Sequence, residues 1–144
     1  MDAETFLPVV IFDIDGTVAV RGDRDPYDMT RVGEDLVRAP VMRMAQMVAA
    51  SGIADVMFVT GRDTSALTQT CFWLAEHFGS EYMMKMRAKG DNRADAIVKQ
   101  EIMEKIAKHR EIIAVFDDRN QVVDMWRANG YTCFQVCSRE DGDF

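Results

Sequence analysis

Asp13 and Asp15 bracket Ile14 in the run Val9-Val10-Ile11-Phe12-Asp13-Ile14-Asp15-Gly16-Thr17. An apolar stretch ends on a carboxylate, a second acid follows two residues later, and Gly16-Thr17 breaks the pattern. A chain leaving a buried parallel strand this way can aim both acids at one point beyond the strand's carboxyl end. In open α/β sheets that is where ligands bind. Two carboxylates there invite a cation, and oxygen ligands suit Mg²⁺. On its own the motif also fits a strand that simply exits into a polar turn. Two more apolar runs end in polar signatures, Thr60-Gly61-Arg62 and Asp117-Asp118. In a doubly wound sheet all three ends share one edge, and the conjunction is far more specific than any single one. Asp95 and Lys99 stand four apart, on one face of a helix. Taken alone, that pair reads as a surface ion pair worth about 0.3–0.5 kcal/mol.

The elements that must position these groups follow from hydrophobic periodicity. Buried strands are predicted at 9–13, 56–59, 82–86, 112–116 and 131–136. Helices are predicted from Pro40, a favourable first-turn residue, to Ser51, and from an Asp63 or Thr64 cap to about His77. Two more run from about Arg93 to Lys108 and from Asn120 to Asn129, the last closed by Gly130. Val41, Met44, Ala45 and Val48 form one expected inner face, and Ile97, Val98, Ile102 and Ile106 another. Residues 18–39 read as loop, and 138–144 as a polar, aperiodic tail that could be disordered. Alternating strands and helices imply an α/β fold: a five-stranded parallel sheet with helices on both faces.

Length and composition set the remaining bounds. The 144 residues suit one domain over 1–144, and 48% hydrophobic with 28% charged residues is ordinary for a globular chain. No apolar run reaches the roughly 20 residues needed to span a bilayer, and Met1-Asp2-Ala3-Glu4 lacks a signal peptide's basic start. Cys71, Cys133 and Cys137 lack disulfide-framework spacing and read as reduced thiols, which places the chain in the cytosol. His77 and His109 flank no acidic motif and are not expected to ligate metal. The net charge of −7 argues against a broad nucleic-acid-binding surface but not against a focused basic pocket.

On its acidic motifs the chain resembles the haloacid dehalogenase (HAD) superfamily of aspartyl-phosphate phosphotransferases. Three further stretches are similar to the 3′-phosphatase domain of the T-even-phage type of polynucleotide kinase/phosphatase. They are Arg24-Asp25-Pro26-Tyr27-Asp28, Gly90-Asp91-Asn92-Arg93, and the run from Phe116-Asp117-Asp118-Arg119 to Asp124-Met125-Trp126-Arg127, and Gly142-Asp143-Phe144 fits as well. The resemblance covers nearly the whole chain. It implies a HAD-like Rossmannoid fold and Mg²⁺-dependent removal of a 3′-phosphate from DNA or RNA ends. Asp13 would be the nucleophile, and Asp15 would serve as acid and then base. Asp13, Asp15 (through its backbone carbonyl), Asp117 and Asp118 would hold Mg²⁺. Thr60 and Gly61, with Arg24 and Arg62, would meet phosphate or substrate. Lys99 would counter phosphoryl charge with Asp95 positioning it, and Thr17 would brace the turn.

Access to the site bears on the substrate. The segment after the first strand reads as a loop, and the link from Arg87 to Asn92 is short, so no large cap domain is expected. An open site suits a polynucleotide end. It suits a small phosphate if a second copy of the chain, in a homo-oligomer, closes the mouth. Lys85, Arg87, Lys89 and Arg93 are candidates to receive a nucleic-acid backbone. No P-loop signature is present, so a stand-alone phosphatase or one half of a split kinase/phosphatase is expected. Expected partners are DNA or RNA 3′ ends and a separate kinase or ligase, with no membrane, in the host cytosol if the gene is a phage's. Two alternatives stand beside the 3′-phosphatase: a small-molecule HAD phosphatase, and a non-catalytic module that binds ends or a kinase subunit. The intact acidic motifs argue against the latter.

Overall fold

The computed structural model describes residues 5–144. Met1-Asp2-Ala3-Glu4, the segment without a signal-peptide start, lies outside the described residues. Strand β1 (Val9–Phe12) is wholly buried and sits at the centre of the sheet. It pairs in parallel with β4 (Asp55–Asp63) on one side and β6 (Ile112–Asp117) on the other. Edge strands β5 (Met83–Arg87) and β7 (Cys133–Gln135) complete the order β5-β4-β1-β6-β7, again in parallel. Both faces of β1 are covered because its side chains alternate. Val9 and Ile11 pack with Met57, Val59, Ile106, Val123 and Trp126, beneath α3 (Asp95–Ala107) and α4 (Asn120–Ala128). Val10 and Phe12 pack with Phe58, Met42, Trp73 and Leu74, beneath α1 (Ala39–Ser51) and α2 (Leu67–His77). That is why the first strand reads as continuously apolar rather than alternating.

Helix boundaries fall near expectation, with informative shifts. α1 carries Pro40 in its first turn and ends at Gly52 in a left-handed conformation, but Met42 rather than Met44 turns inward. α3 starts at Asp95 rather than Arg93, because Arg93 is held outside it by ion pairs to Asp91 and Glu101. Val98, Met103 and Ile106 are its buried apolar residues, and Ile97 is half exposed. Asp63 does cap a turn, the 3-10 segment Thr64–Ala66 that leads into α2. All three cysteines are free thiols. No helix among the described residues is long and apolar enough to cross a membrane.

Two segments are more ordered than their patterns convey. Residues 18–39 are not irregular: β2 (Ala19–Val20) pairs antiparallel with β3 (Leu36–Val37), and a 3-10 helix covers Met29–Glu34. The elements are too short to show periodicity, and their order comes from a buried ion cluster described below. The segment 138–144, aperiodic as expected, makes defined contacts with the rest of the chain. Asn120 N–H donates to the Gly142 carbonyl (2.8 Å), Arg139 pairs with Asp124, and the Phe144 ring lies beside the Arg119 guanidinium. Partners supplied by α4 and the loop before it order a stretch that has no pattern of its own. The β5-to-α3 link is short, and among the described residues no large cap covers the sheet's carboxyl edge.

Candidate active site

Asp13 leaves β1 with its N–H bonded to the Phe116 carbonyl at 2.9 Å, so the strand pairing itself fixes where this carboxylate starts. Gly16 makes the return possible. Its φ is +77°, and a Cβ there would collide with the Asp118 carboxylate. Thr17, fully buried, donates to Asp13 Oδ2 at 3.3 Å. β6 ends at Asp117, whose Oδ1 accepts from the Asp118 N–H (2.9 Å). Carboxylate oxygens of Asp13, Asp117 and Asp118 all lie within 4.8 Å of one another, and all three residues are buried.

Lys99 answers that charge. Its Nζ is 3.0 Å from Asp13 Oδ1, 2.9 Å from Asp117 Oδ2 and 3.7 Å from Asp95 Oδ2. At 1% exposure it is not half of a surface ion pair, which corrects the reading from spacing alone. Burial pulls the Lys99 pKa down, but Asp117, Asp13 and Asp95 outweigh it, and the net shift is upward, so the ammonium stays charged. Burial, then Asp117, push Asp13 well above the ordinary carboxylate range against the pull of Lys99. Burial and Asp117 push Asp118 up to about 6. One lysine cannot neutralise three clustered carboxylates, and their donor set is all oxygen. The cluster therefore fits a hard divalent cation. Both Asp117 oxygens already accept protein hydrogen bonds, whereas Asp118 lines the cavity above.

A second cluster holds Asp15. Arg62 reaches it with Nε (2.9 Å) and Nη2 (2.8 Å), and Arg24 Nη2 approaches at 3.3 Å. Both guanidinium groups converge on Asp35. Arg24 donates to it through Nε (2.6 Å) and Nη2 (2.9 Å), and Arg62 through Nη2 (2.9 Å). Trp73 Nε1 caps the Asp35 carbonyl at 2.8 Å. Arg24 and Arg62 are 4% and 3% exposed, while the Asp15 side chain keeps 43%. The two arginines thus orient Asp15 from below, and only Arg62 also lines the cavity. Asp35 escaped the sequence reading: it sits in an acidic turn after Gly33-Glu34 and belongs to no spaced pair. Its only local hint is the isolated apolar Val32 before it, which is fully buried.

The Thr60 hydroxyl is fully buried and accepts from the Arg62 N–H at 3.1 Å. Gly61 lies where β4 slips its register against β5, and a Cβ there would strike the Asp95 carboxylate. Arg87 clamps this wall by donating to the carbonyls of Gly61 (2.8 Å), Asp91 (3.0 Å) and Arg93 (2.6 Å), and to Asp95 (3.3 Å). Arg87 is thus engaged within the protein, whereas Arg93, ion-paired with Asp91 and Glu101, keeps a half-exposed side chain at the cavity. Lys85 and Lys89 are exposed. Asp13, Asp15, Gly61, Arg62, Asp95 and Asp118 line one open cavity of about 540 Å³.

An open parallel sheet whose central strand delivers paired acids beside a buried lysine defines a HAD-like phosphatase. The same fold occurs in the class C acid phosphatase from Bacillus anthracis, solved with tungstate bound (TM-score 0.62, 15% identity, covering 92% of this chain and 68% of that one). The chain belongs to the polynucleotide kinase PNKP phosphatase domain family, whose pattern matches residues 8–144. It is 33% identical over 138 residues to a protein of Autographa californica nuclear polyhedrosis virus whose name describes a bifunctional polynucleotide kinase/RNA ligase. That match covers 93% of this chain and 20% of the viral protein. A chain in the Pnkp1/Rnl/Hen1 RNA repair complex is 36% identical with a TM-score of 0.87, covering 100% of this chain and 46% of that one. A second structure of the complex gives the same identity and score with 50% of its chain covered. The chain therefore spans about one fifth of the viral relative and about half of each repair-complex chain.

Proposed function

We propose that this domain is a Mg²⁺-dependent polynucleotide 3′-phosphatase that works through an aspartyl-phosphate on Asp13. The observation that carries the reading is the position of Asp13, held by Lys99 and Thr17 at the floor of an open cavity. An Asp13 oxygen attacks phosphorus as the bond to the 3′-oxygen breaks, and Asp15 gives its proton to the leaving oxygen. Asp15 then takes a proton from water, which attacks the aspartyl-phosphate and releases inorganic phosphate and free Asp13. Lys99 offsets charge on the transferring group, and Asp95 holds Lys99 in place. The Thr60 hydroxyl, expected from the resemblance to meet a phosphate oxygen, is fully buried behind the cavity wall and braces the Gly61-Arg62 segment by accepting from the Arg62 N–H.

Asp13, Asp117, Asp118 and the Asp15 backbone carbonyl would hold Mg²⁺, with Asp117 also tying Lys99 to the cluster. A cation bound there supplies neutralisation of the acids and of the incoming phosphate. Arg24 and Arg62 act on substrate indirectly, by orienting Asp15. The repair complex and the viral relative support nucleic-acid ends as substrate, RNA included, and a ligase as a working partner. Asp13→Asn is expected to abolish turnover with the fold intact, because an amide cannot attack phosphorus as a carboxylate does. Phosphate release and a thermal melt of the variant check this. A folded variant keeping more than a few per cent of activity would remove Asp13 from its role.

A further inference from the structure

The floor of the cavity accounts for a phosphate but not for its rim. Two aromatic rings line the same cavity from different loops, Tyr27 and Phe144. Tyr27 is 89% exposed, the most exposed aromatic side chain among the described residues, and Phe144 is 61% exposed. Scattered exposed rings are ordinary. These two are set apart by lining the cavity, each on an anchored backbone.

The Tyr27 N–H donates to Asp25 Oδ1 at 2.8 Å, and its carbonyl accepts from the Met29 N–H at 3.1 Å. Arg24 Nη1 donates to the preceding carbonyls of Asp25 and Pro26, at 3.2 and 3.3 Å. The same guanidinium bonds Asp35 and approaches Asp15. The stalk of the Tyr27 ring is therefore tied, through one buried arginine, to the acid that faces the reaction. Phe144 is held comparably. Arg119 Nε donates to its carbonyl at 2.5 Å, Gln121 Nε2 approaches that oxygen at 3.4 Å, and the guanidinium carbon stands 5.2 Å from the ring centroid.

We infer that Tyr27, with Phe144, is a stacking platform for the nucleobase of the 3′-terminal nucleotide. This inference rests on the polynucleotide-phosphatase reading and names the part of the substrate that the rim recognises. A cavity of about 540 Å³ is larger than a phosphate needs and comparable with nucleotide-sized sites. Every base has a π-face, so stacking on aromatic side chains tolerates any sequence, and in a single-stranded end that face is free. Ring recognition also suits a chain of net charge −7, which cannot rely on many backbone contacts.

The test compares three substrates at saturating Mg²⁺: a single-stranded 3′-phosphorylated oligonucleotide, the same oligonucleotide with an abasic terminal nucleotide, and glycerol phosphate. Tyr27→Ala is expected to lose about tenfold or more in kcat/KM on the ordinary oligonucleotide, mainly through KM, and much less on the abasic one. Tyr27→Phe is expected to restore the difference, because it keeps the ring and drops the hydroxyl. Phe144→Ala is expected to show the same pattern more weakly. Equal losses on the ordinary and abasic substrates, or no loss on either, would overturn the platform. Wild-type activity on glycerol phosphate with none on either oligonucleotide would instead sink the polynucleotide reading itself.

Discussion

At the residue scale, Lys99 shows what spacing can and cannot convey. Its i, i+4 relation to Asp95 is visible in the sequence, but the carboxylates that reverse its meaning, Asp13 and Asp117, come from β1 and β6. Only the parallel pairing of those strands brings them to one ammonium. The sequence did point to Asp13, Asp117 and Asp118 as neighbours at a sheet edge, because each follows an apolar run. Asp35 follows no such run, and its carboxylate matters through its three contacts with Arg24 and Arg62. The charge imbalance has a pH signature. Asp118 sits near 6 in the folded chain against an ordinary 3.8. Between those values the folded state holds a proton that the unfolded state has released, so the metal-free protein loses stability as pH rises through this window, by a few kcal/mol in total. A divalent cation requires the ionised carboxylates. The rise in melting temperature on adding Mg²⁺ is therefore expected to be small near pH 5 and clearly larger near pH 7.5. Thermal melts with and without Mg²⁺ at the two pH values check this. A gain of equal size at both would contradict it.

At the element scale, strand and helix types follow the hydrophobic pattern, and the departures fall beside the site. β4 runs through Thr60-Gly61-Arg62 to Asp63 instead of stopping at Val59, because β5 continues alongside it with a register slip. That extension places Arg62 under Asp15 and brings Gly61 against Asp95. Sequence periodicity cannot show a slip that depends on a partner strand. The β2–β3 ribbon escaped for a related reason: two-residue strands carry no period, and a buried cluster of Arg24, Arg62, Asp15 and Asp35 orders the segment. Gly61→Ala tests the close approach. Its Cβ would push the Asp95 carboxylate off its position near Lys99 and Arg87. Interiors packed this tightly do not absorb a methyl freely. Activity is expected to fall at least tenfold or so while the melting temperature drops by only a few degrees, as for a modest local overpacking. Wild-type activity in the variant would show that the tight wall is dispensable.

At the scale of the whole domain, one sheet edge gathers the chemistry, and among the described residues nothing large covers it. The segment 138–144 folds back to that edge through Asn120 and Arg119, contributing Phe144 to the cavity rim. Arg87, which the sequence offered as a receiver of nucleic acid, is instead an internal clamp with three backbone carbonyls and Asp95 as its partners. Replacing it would disturb the site wall and report nothing clean about substrate. An open edge, a rim of rings and an acidic net charge together favour a chain end that enters the cavity over a duplex laid across a basic surface. The most direct measurement is phosphate release by the wild-type protein with Mg²⁺ from a 3′-phosphorylated oligonucleotide, the same oligonucleotide phosphorylated at its 5′ end, a 3′-mononucleotide and a simple aryl phosphate. The 3′-phosphorylated oligonucleotide is expected to give the highest kcat/KM, and chelation is expected to stop its hydrolysis. A kcat/KM for the aryl phosphate or mononucleotide equal to or above that of the oligonucleotide would contradict a polynucleotide 3′-phosphatase.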